Sequence, residues 1–481
     1  MRFSATIKAS IGACFLGLFT VNGYAEKASP LAGTKPNIVI LLIDDISFGA
    51  LSHFGGKYQT PALDSLFEKG RVFKNFHVSP TCSPTRAAIM TGRHEFYAGV
   101  THTILMRDQA SLKTQLLPQM LKECGYATAM AGKWHLGDEK EYRPAQRGFD
   151  DVLQHGGGGI GQAYAHSSDF PGNHYNNPLL LHNEKMEQFA GYCTDIFFNH
   201  AMAWMKKQKK PFFLYLPTNV AHSPQEPPAG SEGPAKEAIM KNLDENVANL
   251  MAFLEKDNLD QNTLVIFLTD NGPADKQESE IYGLKGYKGN ATEGGIRVPC
   301  AFYWKGKVQS GEASNDLCAA IDLFPTLAEL AGYKGALPSQ GKPWDGMSLL
   351  PLLEGQHLKT KRYVIGHKGR WTGAPESSQY KDASIQDEHY QLHFSATNQF
   401  ALYDLQRDMG QTTDVKDTHP EITQALKKQF DAFWQDARPA MISENMANKI
   451  PVSRPFWDIY QAKTGIDPAT VKDKSQTKES M

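Results

Sequence analysis

Four short apolar runs, each followed closely by polar residues, constrain the fold of this chain more than any other feature. The runs are residues 37–43, 126–131, 211–216 and 264–268. Unbroken apolar runs of this length are typical of strands buried on both faces of a parallel sheet, and helical patterns lie between them. We therefore predict an α/β fold with a large mixed, mostly parallel sheet flanked by helices.

Polar side chains follow all four predicted strands. They are Asp44, Asp45, Lys133, His135, His222, Asp270 and Asn271. Taken singly, each group has an ordinary interpretation as a strand cap or as part of a surface loop. In open parallel sheets, however, ligands bind outside the carboxyl ends of the strands. Because four strands each deliver such residues, we predict that they converge on one site.

The acidic residues of this predicted site suggest a metal ion. Adjacent carboxylates after a buried strand repel each other unless they are hydrated or bind a cation. Asp44, Asp45, Asp270 and Asn271 offer only oxygen ligands, which suit Ca²⁺ or Mg²⁺ and not zinc or copper. The sequence therefore predicts a calcium or magnesium site at this edge of the sheet.

Residues 81–93 (T-C-S-P-T-R-A-A-I-M-T-G-R) predict a helix that begins near Cys82. Pro84 suits the first helical turn, and the free N–H groups there favour an anion. Arg86 lies one turn along, close enough to reach back over Cys82. The other basic residues of the predicted site are Lys133, His135, His222 and Lys288. Together with a divalent cation they suit the transfer of a tetrahedral anion, either sulfuryl or phosphoryl.

The segment Cys82-Ser83-Pro84-Thr85-Arg86, with Thr91-Gly92-Arg93, resembles the signature of the formylglycine-dependent (type I) sulfatases, members of the alkaline phosphatase superfamily. The resemblance extends over residues 44–45, 132–135, 221–224, 270–272, 293–299 and 402–405. Thr85 replaces the serine that is commonest there and leaves the modification motif intact. The resemblance implies an alkaline phosphatase-like fold with a smaller C-terminal α+β domain.

The resemblance also implies a nucleophile and a ligand set. Cys82 would be oxidised to formylglycine by a separate maturation enzyme, and the hydrated aldehyde would attack the substrate while bound to calcium. The implied metal ligands are Asp44, Asp45, Asp270, Asn271 and the modified Cys82. An aldehyde hydrate can expel sulfate without attack by water, whereas an ordinary ester intermediate needs a second displacement.

The same resemblance also implies a catalytic role for each of the basic residues. Arg86 and Lys133 would steady the hydrate, and Lys133 with Lys288 would neutralise the sulfate oxygens. His222, with Lys288 as a second candidate, would protonate or stabilise the departing alcohol oxygen. His135 would help the sulfated hydrate to collapse to aldehyde and free sulfate.

We expect the substrate to be a sulfated carbohydrate, because the chain carries an export signal and because residues 155–192 form a long polar and aromatic segment. The alternatives are an arylsulfatase of broad specificity, a phosphodiesterase or phosphonate hydrolase of the same superfamily, and a glycan-binding protein with a decayed site.

The glycine-rich stretch 155–162 lacks the spacing of a nucleotide-binding loop. A net charge of −2 argues against a nucleic-acid partner.

The chain divides into four predicted segments. Residues 1–25 form a signal peptide, with Arg2 and Lys8 before an apolar run over 11–21 and a small-residue cleavage site ending at Ala25. Residues 11–14 faintly resemble a lipoprotein signal instead. The run is too short to span a membrane, so we expect a periplasmic or secreted protein. The catalytic domain follows over 26–360, the small α+β domain over 361–445, and an extension with a disordered end over 446–481.

The cysteine count leaves the disulfide question open. Removal of the signal peptide removes Cys14 and leaves Cys82, Cys124, Cys193, Cys300 and Cys318. An odd number in an oxidising compartment requires at least one that is unpaired or modified. With Cys82 set aside for chemistry, the other four allow two disulfides in three connectivities.

Overall fold

The computed structural model describes residues 29–104, 106–164, 167–311, 313–335, 344–371, 375–441 and 454–471. The predicted signal peptide, Cys14 and the predicted disordered end beyond residue 471 lie outside these ranges. Within them, every helix is too short or too polar to cross a bilayer.

In chain order, the strands up to residue 319 are β1 (Asn37–Ile43), β2 (Arg71–His77), β3 (Ala127–Lys133), β4 (Asp151–His155), β5 (Ala163–Tyr164), β6 (Ser167–Ser168), β7 (Leu179–His182), β8 (Lys185–Gln188), β9 (Phe212–Pro217), β10 (Thr263–Thr269), β11 (Arg297–Tyr303) and β12 (Cys318–Ala319). Ten of these described strands form one sheet in the order β12-β2-β11-β10-β1-β9-β3-β4-β7-β8. The five strands from β10 to β4 are parallel, whereas the β11 and β7–β8 pairings are antiparallel. The predicted mixed, mostly parallel sheet is confirmed.

The helices are α1 (Pro61–Lys69), α2 (Cys82–Thr91), α3 (Leu117–Glu123), α4 (Cys193–Met205), α5 (Ala235–Lys256), α6 (Lys276–Ile281), α7 (Glu293–Ile296), α8 (Leu323–Leu330), α9 (Leu350–Leu353), α10 (Pro420–Ala437) and α11 (Pro455–Thr464). Helices α2, α3 and α8 contribute to the apolar core on one face of the large sheet. Helices α1, α4 and α5 contribute to the core on the other face.

Strand β1 shows why the chain forms a sheet with helices on both sides. Its side chains alternate between the two cores: Ile38, Ile40 and Leu42 belong to one, and Val39 and Leu41 belong to the other. All are fully buried. Burial of such a side chain contributes about 1.5–3 kcal/mol, so a strand that is apolar on both faces is stable only at the centre of a covered sheet.

A second, smaller sheet follows the catalytic region. It is antiparallel, in the order β13 (Val364–His367), β14 (Ala383–Gln386), β15 (Tyr390–Phe394) and β16 (Phe400–Asp404). Helix α10 packs on it through Leu426 and Phe430. The predicted α+β architecture after the large sheet is confirmed, and the exact boundary at residues 360 and 361 stays a prediction.

A buried polar cluster joins the small sheet to the large one, and we call it the Glu293 cluster (Glu293, His77, Arg297 and Gln391). Oε1 of Glu293 accepts hydrogen bonds from His77 Nε2 at 3.1 Å and from Gln391 Nε2 at 3.0 Å. Oε2 of the same carboxylate accepts a hydrogen bond from Arg297 Nη1 at 3.1 Å. Since Gln391 lies on β15 and His77 ends β2, this carboxylate connects the two sheets.

The interpretation of residues 155–192 as one long loop is wrong for its second half. Strands β7 and β8 form a hairpin there and extend the large sheet beyond β4. Its two-residue turn, Asn183 and Glu184, has positive φ angles of 45° and 67°, as the tight turns that match strand twist require. These strands have four residues each and lie at the sheet edge, so they lack the long apolar runs of central strands.

The predicted C-terminal extension contains an ordered helix. In α11, Phe456 is fully buried and packs in a cluster with Phe170, Leu181 and Met186. Trp457 Nε1 donates a hydrogen bond to the backbone oxygen of Asp169 at 3.0 Å. The segment 454–471 therefore folds back onto the region that precedes β7.

The five cysteines among the described residues are free thiols, so none of the three disulfide connectivities occurs. Cys300 and Cys318 lie on β11 and β12, with β2 between them, which separates them by at least about 9.6 Å, too far for a disulfide. Cys193 belongs to the opposite core. Burial raises the pKa of Cys193 to about 12 and raises those of Cys300 and Cys318 well above the usual value, which makes these thiols inert.

Candidate active site

The four strands whose polar ends were predicted to converge are neighbours in the sheet. Strands β10, β1, β9 and β3 are adjacent and parallel, so their carboxyl ends open on the same edge. At this edge lie Asp44, Asp45, Lys133, His135, His222, Asp270 and Asn271, all buried. The sheet topology thus brings together residues that are up to 227 positions apart in the chain (Asp44 and Asn271).

Cys82 lies at the predicted helix start. Thr81, the residue before α2, is extended (φ −145°, ψ 159°), and Gly92 ends the helix in the left-handed conformation at φ 66°. All ten residues of α2 are buried, and Cys82 is only 2% exposed. The unpaired N–H groups of the first turn therefore lie inside the protein, where the positive end of the helix dipole is least screened.

Three carboxylates form the floor of the site. The backbone N–H of Asp45 donates to Asp270 Oδ1 at 3.4 Å. Asn271 Nδ2 donates to Asp45 Oδ1 at 2.7 Å. Asp45 itself has a positive φ of 56°, a conformation that is uncommon outside glycine and that is found more often at functional sites. Asp44, Asp45 and Asp270 are each at most 1% exposed.

Three cations balance these carboxylates. Lys133 Nζ lies 2.5 Å from Asp44 Oδ2, and Lys288 Nζ lies 2.8 Å from Asp45 Oδ2. Arg86 Nη2 lies 2.7 Å from Asp270 Oδ2 and 3.5 Å from Asp44 Oδ2. Arg86 Nη1 also donates to the backbone oxygen of Lys133 at 2.7 Å. Since buried ions are costly unless paired, this pairing is what allows six formal charges at one place.

The pKa values of the site follow from burial and from these pairs. For Asp45, burial opposes ionisation, but the charges of Lys288 and His222 outweigh it and hold the pKa below its usual range. For Asp270, burial and the nearby Asp44 charge raise the pKa well above normal, even with Arg86 beside it. The position of Asp270 is therefore short of positive charge.

The residues present fit a hard divalent cation. Asp44 Oδ1 and Asn271 Oδ1 are buried oxygens without a hydrogen-bond partner among the described residues. Ligand atoms of Asp44, Cys82 and Asp270 lie within 4.8 Å of one another. A buried oxygen without a partner costs about 1–3 kcal/mol, and a metal ion at this position would remove that cost. The donor set is mostly oxygen, as calcium and magnesium prefer.

His135 lies beyond the end of β3 with a positive φ of 59°. Its Nε2 donates to the backbone oxygen of Thr103 at 2.7 Å, which leaves Nδ1 as the unprotonated nitrogen without a partner among the described residues. Burial and the charge of Lys133 hold the pKa of His135 well below its usual range. His135 is therefore a neutral imidazole with one free lone pair, a proton acceptor in form.

His222 lies on the other side of the carboxylates. Its Nε2 lies 3.8 Å from Asp45 Oδ2. Its Nδ1 lies 2.9 Å from Gln162 Nε2 and 2.8 Å from the backbone oxygen of Ser223. Gln162 Nε2 also donates to that Ser223 oxygen at 3.1 Å. Gln162 and the Ser223 oxygen thus both contact Nδ1, and the Nε2 side of the His222 ring faces Asp45.

The glycine-rich stretch 155–162 contacts both histidines, although it is no nucleotide loop. A Cβ atom on Gly158 would come within 3.0 Å of Cε1 of His135, so only glycine fits there without a shift. Gln162, at the end of the stretch, reaches His222. Sequence reasoning missed Gln162 and Thr103, because one acts across 60 residues and the other through its backbone oxygen. The four consecutive glycines were the only signal of a close approach.

A family model described as sulfatase matches residues 36–333. The chain belongs to the sulfatase family. It is a sulfuric ester hydrolase with the fold of the alkaline phosphatase superfamily, as the resemblance implied. A second family model, described as the C-terminal part of N-sulphoglucosamine sulphohydrolase, matches residues 288–436, a range that includes the small sheet and nearly all of α10.

Curated relatives and solved structures agree with this assignment. Human N-acetylgalactosamine-6-sulfatase is 31% identical over 386 residues, which cover 73% of this chain and 72% of the relative. Human arylsulfatase A is 30% identical over 452 residues, which cover 82% and 86%. The crystal structure of Ps i-CgsB in complex with k-i-k-neocarrahexaose superposes with a TM-score of 0.74 at 26% identity, covering 85% of this chain and 95% of that one.

Proposed function

We propose that the protein is a calcium-dependent sulfatase that removes sulfate from a sulfated carbohydrate, with a formylglycine made from Cys82 as the nucleophile. The observation that carries the proposal is the place of Cys82. Its sulfur lies within 4.8 Å of carboxylate oxygens of Asp44 and Asp270, among groups that suit metal binding. Asp44 and Asp270 would hold the cation beside position 82, and a hydroxyl nucleophile on the carbon of that side chain would lie among the same groups.

The charge balance of the site supports an anionic substrate. Asp44, Asp45 and Asp270 are matched by Arg86, Lys133 and Lys288, so the set is close to neutral without a metal. A divalent cation held by Asp44, Asp45, Asp270 and Asn271 would leave the site with two surplus positive charges. Fixed positive charge in a buried site stabilises the negative charge that builds on transferring sulfate oxygens.

Calcium, when bound, supplies positive charge that activates the nucleophilic hydroxyl and neutralises substrate oxygens. The chain's own residues do the rest. Arg86 and Lys133, tied together through the Lys133 backbone oxygen, orient the hydrated side chain at position 82. Lys133 and Lys288 lie where their ammonium groups contact the sulfate as well as Asp44 and Asp45.

The two histidines act at different steps of the reaction, His222 as an acid and His135 as a base. One hydrate oxygen at position 82 attacks sulfur and loses its proton to Asp270, whose ligand atom lies within 4.8 Å of that of Cys82 and whose pKa is raised by burial and by Asp44. The bond from sulfur to the alcohol oxygen breaks, and His222 Nε2 gives its proton to that oxygen. His135 Nδ1 then accepts the proton of the remaining hydrate hydroxyl while the carbon–oxygen bond to sulfate breaks and the aldehyde forms again. The free lone pair of His135 and the fixed ring of His222 suit these roles.

The carbohydrate part of the proposal rests on the relatives and on the surroundings of the site. One relative is named for a sugar sulfate, N-acetylgalactosamine-6-sulfate. One compared structure is a complex with k-i-k-neocarrahexaose. In this chain, Arg370 Nη2 donates to Thr103 Oγ1 at 2.7 Å, next to the oxygen that holds His135. The guanidinium of Arg107 lies 5.1 Å from the ring of Trp371. Such neighbouring cations suit a substrate with more than one anionic group.

Export belongs to the same proposal. The N-terminal residues 1–25 have the composition of a signal peptide, and sulfated polysaccharides lie outside the cytoplasm. A maturation enzyme that oxidises Cys82 is the required partner.

Peptide mass spectrometry on the native protein tests the nucleophile, because formylglycine and cysteine differ in mass. Unmodified cysteine at position 82 in active protein would overturn that part of the proposal.

Turnover of matched sulfate and phosphate esters tests the reaction. We expect sulfate esters to be cleaved faster by orders of magnitude, and preferred phosphate cleavage would favour the phosphodiesterase alternative.

A screen of defined sulfated oligosaccharides beside phenolic sulfates tests the substrate class. We expect higher kcat/KM on at least one saccharide. Faster turnover of every phenolic sulfate would favour an arylsulfatase of broad specificity.

A further inference from the structure

A cluster of two histidines and an aspartate lies at the other end of the sheet from the active site. Asp151 begins β4, His182 ends β7 and His200 lies in α4. Strand β4 pairs with β3 so that His155 is opposite Lys133 at the catalytic edge, while Asp151 is four residues earlier. Four residues of strand span about 13 Å, so the cluster is separate from the catalytic residues.

The three side chains are close enough to share one ion. His200 Nε2 lies 2.6 Å from Asp151 Oδ1. The rings of His182 and His200 have centroids 5.1 Å apart at an interplanar angle of 82°. Ligand-capable atoms of all three residues lie within 4.8 Å of one another. The tetrahedral ligands of a zinc ion are about 3.3 Å apart, so shifts of about 1 Å would bring these atoms into place.

The backbone beneath the cluster holds these residues in position. His182 is paired with Leu153 across the antiparallel β4–β7 contact. Asn183 fixes the end of the strand, because its Oδ1 accepts a hydrogen bond from the backbone N–H of Val152 at 2.8 Å. Its Nδ2 donates to Nε2 of His182 at 3.2 Å. This contact shows that His182 Nε2 carries a lone pair, as a metal ligand must.

Access and charge also suit a bound cation. The side chains of Asp151, His182 and His200 are 23%, 30% and 21% exposed, so an ion can enter and a water molecule can complete the coordination. Burial opposes ionisation of Asp151, but its hydrogen bond with His200 outweighs this and lowers the pKa of the carboxyl. Glu187 adds a second carboxylate, with Oε1 at 3.7 Å from His182 Nδ1.

We propose that Asp151, His182 and His200 bind a transition metal ion of the zinc type. Two imidazoles and one carboxylate are a donor set that zinc accepts readily and that calcium, which prefers oxygen, does not. The ion joins β4, β7 and α4, and so fastens the edge hairpin β7–β8 to the rest of the sheet. This site and the catalytic calcium site differ in ligand chemistry as well as in place.

The chain offers a matched control for an ordinary surface ion pair. His357 Nδ1 lies 3.0 Å from Asp316 Oδ2 and its side chain is 84% exposed. This pair has one histidine and one carboxylate, and the groups of three metal-binding side chains found among the described residues do not include it. Replacement of His357 therefore removes a histidine–aspartate pair without touching the proposed site.

Titration of the full-length, chelator-treated protein with zinc chloride by calorimetry, in the presence of saturating calcium, tests the proposal. We expect the wild type to bind zinc in a high-affinity event that His182→Ala and His200→Ala each weaken by at least tenfold. His357→Ala should leave the event unchanged. Equal zinc affinity in the His200→Ala and wild-type proteins, or no such event in the wild type, would overturn the proposal.

Cobalt substitution and thermal denaturation keep the proposal testable if an alanine variant folds poorly. The conservative variant Asp151→Asn keeps the side-chain volume and removes the anionic ligand. We expect cobalt to give a visible tetrahedral absorption in the wild type that Asp151→Asn weakens, and zinc to raise the Tm of the wild type but not of His182→Asn. A cobalt spectrum that is the same in both proteins would contradict the assignment.

Discussion

The active site and the Glu293 cluster are both buried and rich in charge, yet they differ in how completely their carboxylate and amide oxygens are paired. Both oxygens of Glu293 accept hydrogen bonds from protein donors. In the active site, Asp44 Oδ1 and Asn271 Oδ1 have no partner among the described residues. Each such atom costs about 1–3 kcal/mol, so these two oxygens carry a cost that the Glu293 oxygens avoid.

The pKa directions of the two carboxylates express the same contrast. Burial opposes ionisation of Glu293, but the charges and hydrogen bonds of His77 and Arg297 outweigh it and lower its pKa. For Asp270, burial and the neighbouring Asp44 raise the pKa. The Glu293 carboxylate is fully paired by protein groups, whereas the active site needs one more cation. Between these two clusters, unpaired carboxylate and amide oxygens distinguish the candidate metal site from the structural ion pair.

Replacement of the nucleophile tests the active site most severely. Cys82→Ala should reduce kcat by about 10⁴–10⁶-fold, because it removes covalent catalysis altogether. The melting temperature should change little, since alanine suits the first turn of α2. Steady-state turnover of a sulfate ester and a thermal melt measure the two effects. Residual activity within tenfold of the wild type would contradict the role of Cys82.

Replacement of Glu293 should produce the opposite outcome. Glu293→Ala leaves His77 and Arg297 without their buried anion and should lower the free energy of unfolding by about 3–5 kcal/mol. Chemical denaturation measures this loss. At a temperature where the variant stays folded, kcat should stay near the wild-type value. A large loss of kcat with unchanged stability would show that the Glu293 cluster acts in catalysis and not in stability, which would contradict the contrast with the active site.

Removal of a proposed metal ligand should affect activity and metal affinity together. Asp270→Ala should lower kcat by about 10²–10³-fold, because Arg86 also loses its partner. Excess calcium should restore part of the loss, which a purely structural defect would not allow.

Chelation of the wild type should abolish turnover, and added calcium should restore it. Full activity in the chelated protein would refute the calcium assignment.

The acid role of His222 predicts a dependence on the leaving group. His222→Ala should slow sulfated sugars by about 10²-fold and phenolic sulfates much less, because a phenol needs little protonation to depart. Parallel turnover of both classes measures the difference. Equal losses on both would count against the acid role.

The support from Gln162 should have the smallest effect. Gln162→Ala removes the amide that fixes Nδ1 of His222 and should lower kcat by about tenfold, with the same leaving-group dependence. Gln162→Glu keeps the volume of the side chain, and we expect its pH–rate profile to shift relative to the wild type. Loss of activity that is equal for all leaving groups would separate Gln162 from His222.

The central sheet and most of the site follow from local patterns in the sequence. Strand β1 occupies the predicted residues 37–43, and α2 begins at Cys82 as its capping pattern indicated. These features carry strong signals, since strands buried on both faces are apolar throughout. The helix α11 and the hairpin β7–β8 carry weak signals, because their residues alternate between contact and exposure over only a few positions.

The support of the histidines lay beyond sequence reasoning. Gln162 reaches His222 through a fold that brings two loops together, and Thr103 holds His135 through a backbone atom that every residue possesses. The disulfide pairing of the cysteines also could not be predicted from the sequence. An even set of four allowed disulfides, and only the strand order placed Cys300 and Cys318 on either side of β2.

The position of β1 at the centre of the sheet has a consequence for how the protein folds. Asn37 pairs with Thr263, and Ile38 pairs with Phe213, so the first strand has no neighbour until β9 (Phe212–Pro217) is available, far along the chain. Topologies with such distant pairings fold slowly and through incomplete states. During that interval the segment around Cys82, which is 2% exposed in the finished protein, would be accessible to the proposed modifying enzyme. The slow assembly of the sheet would thus set the time available for the proposed maturation.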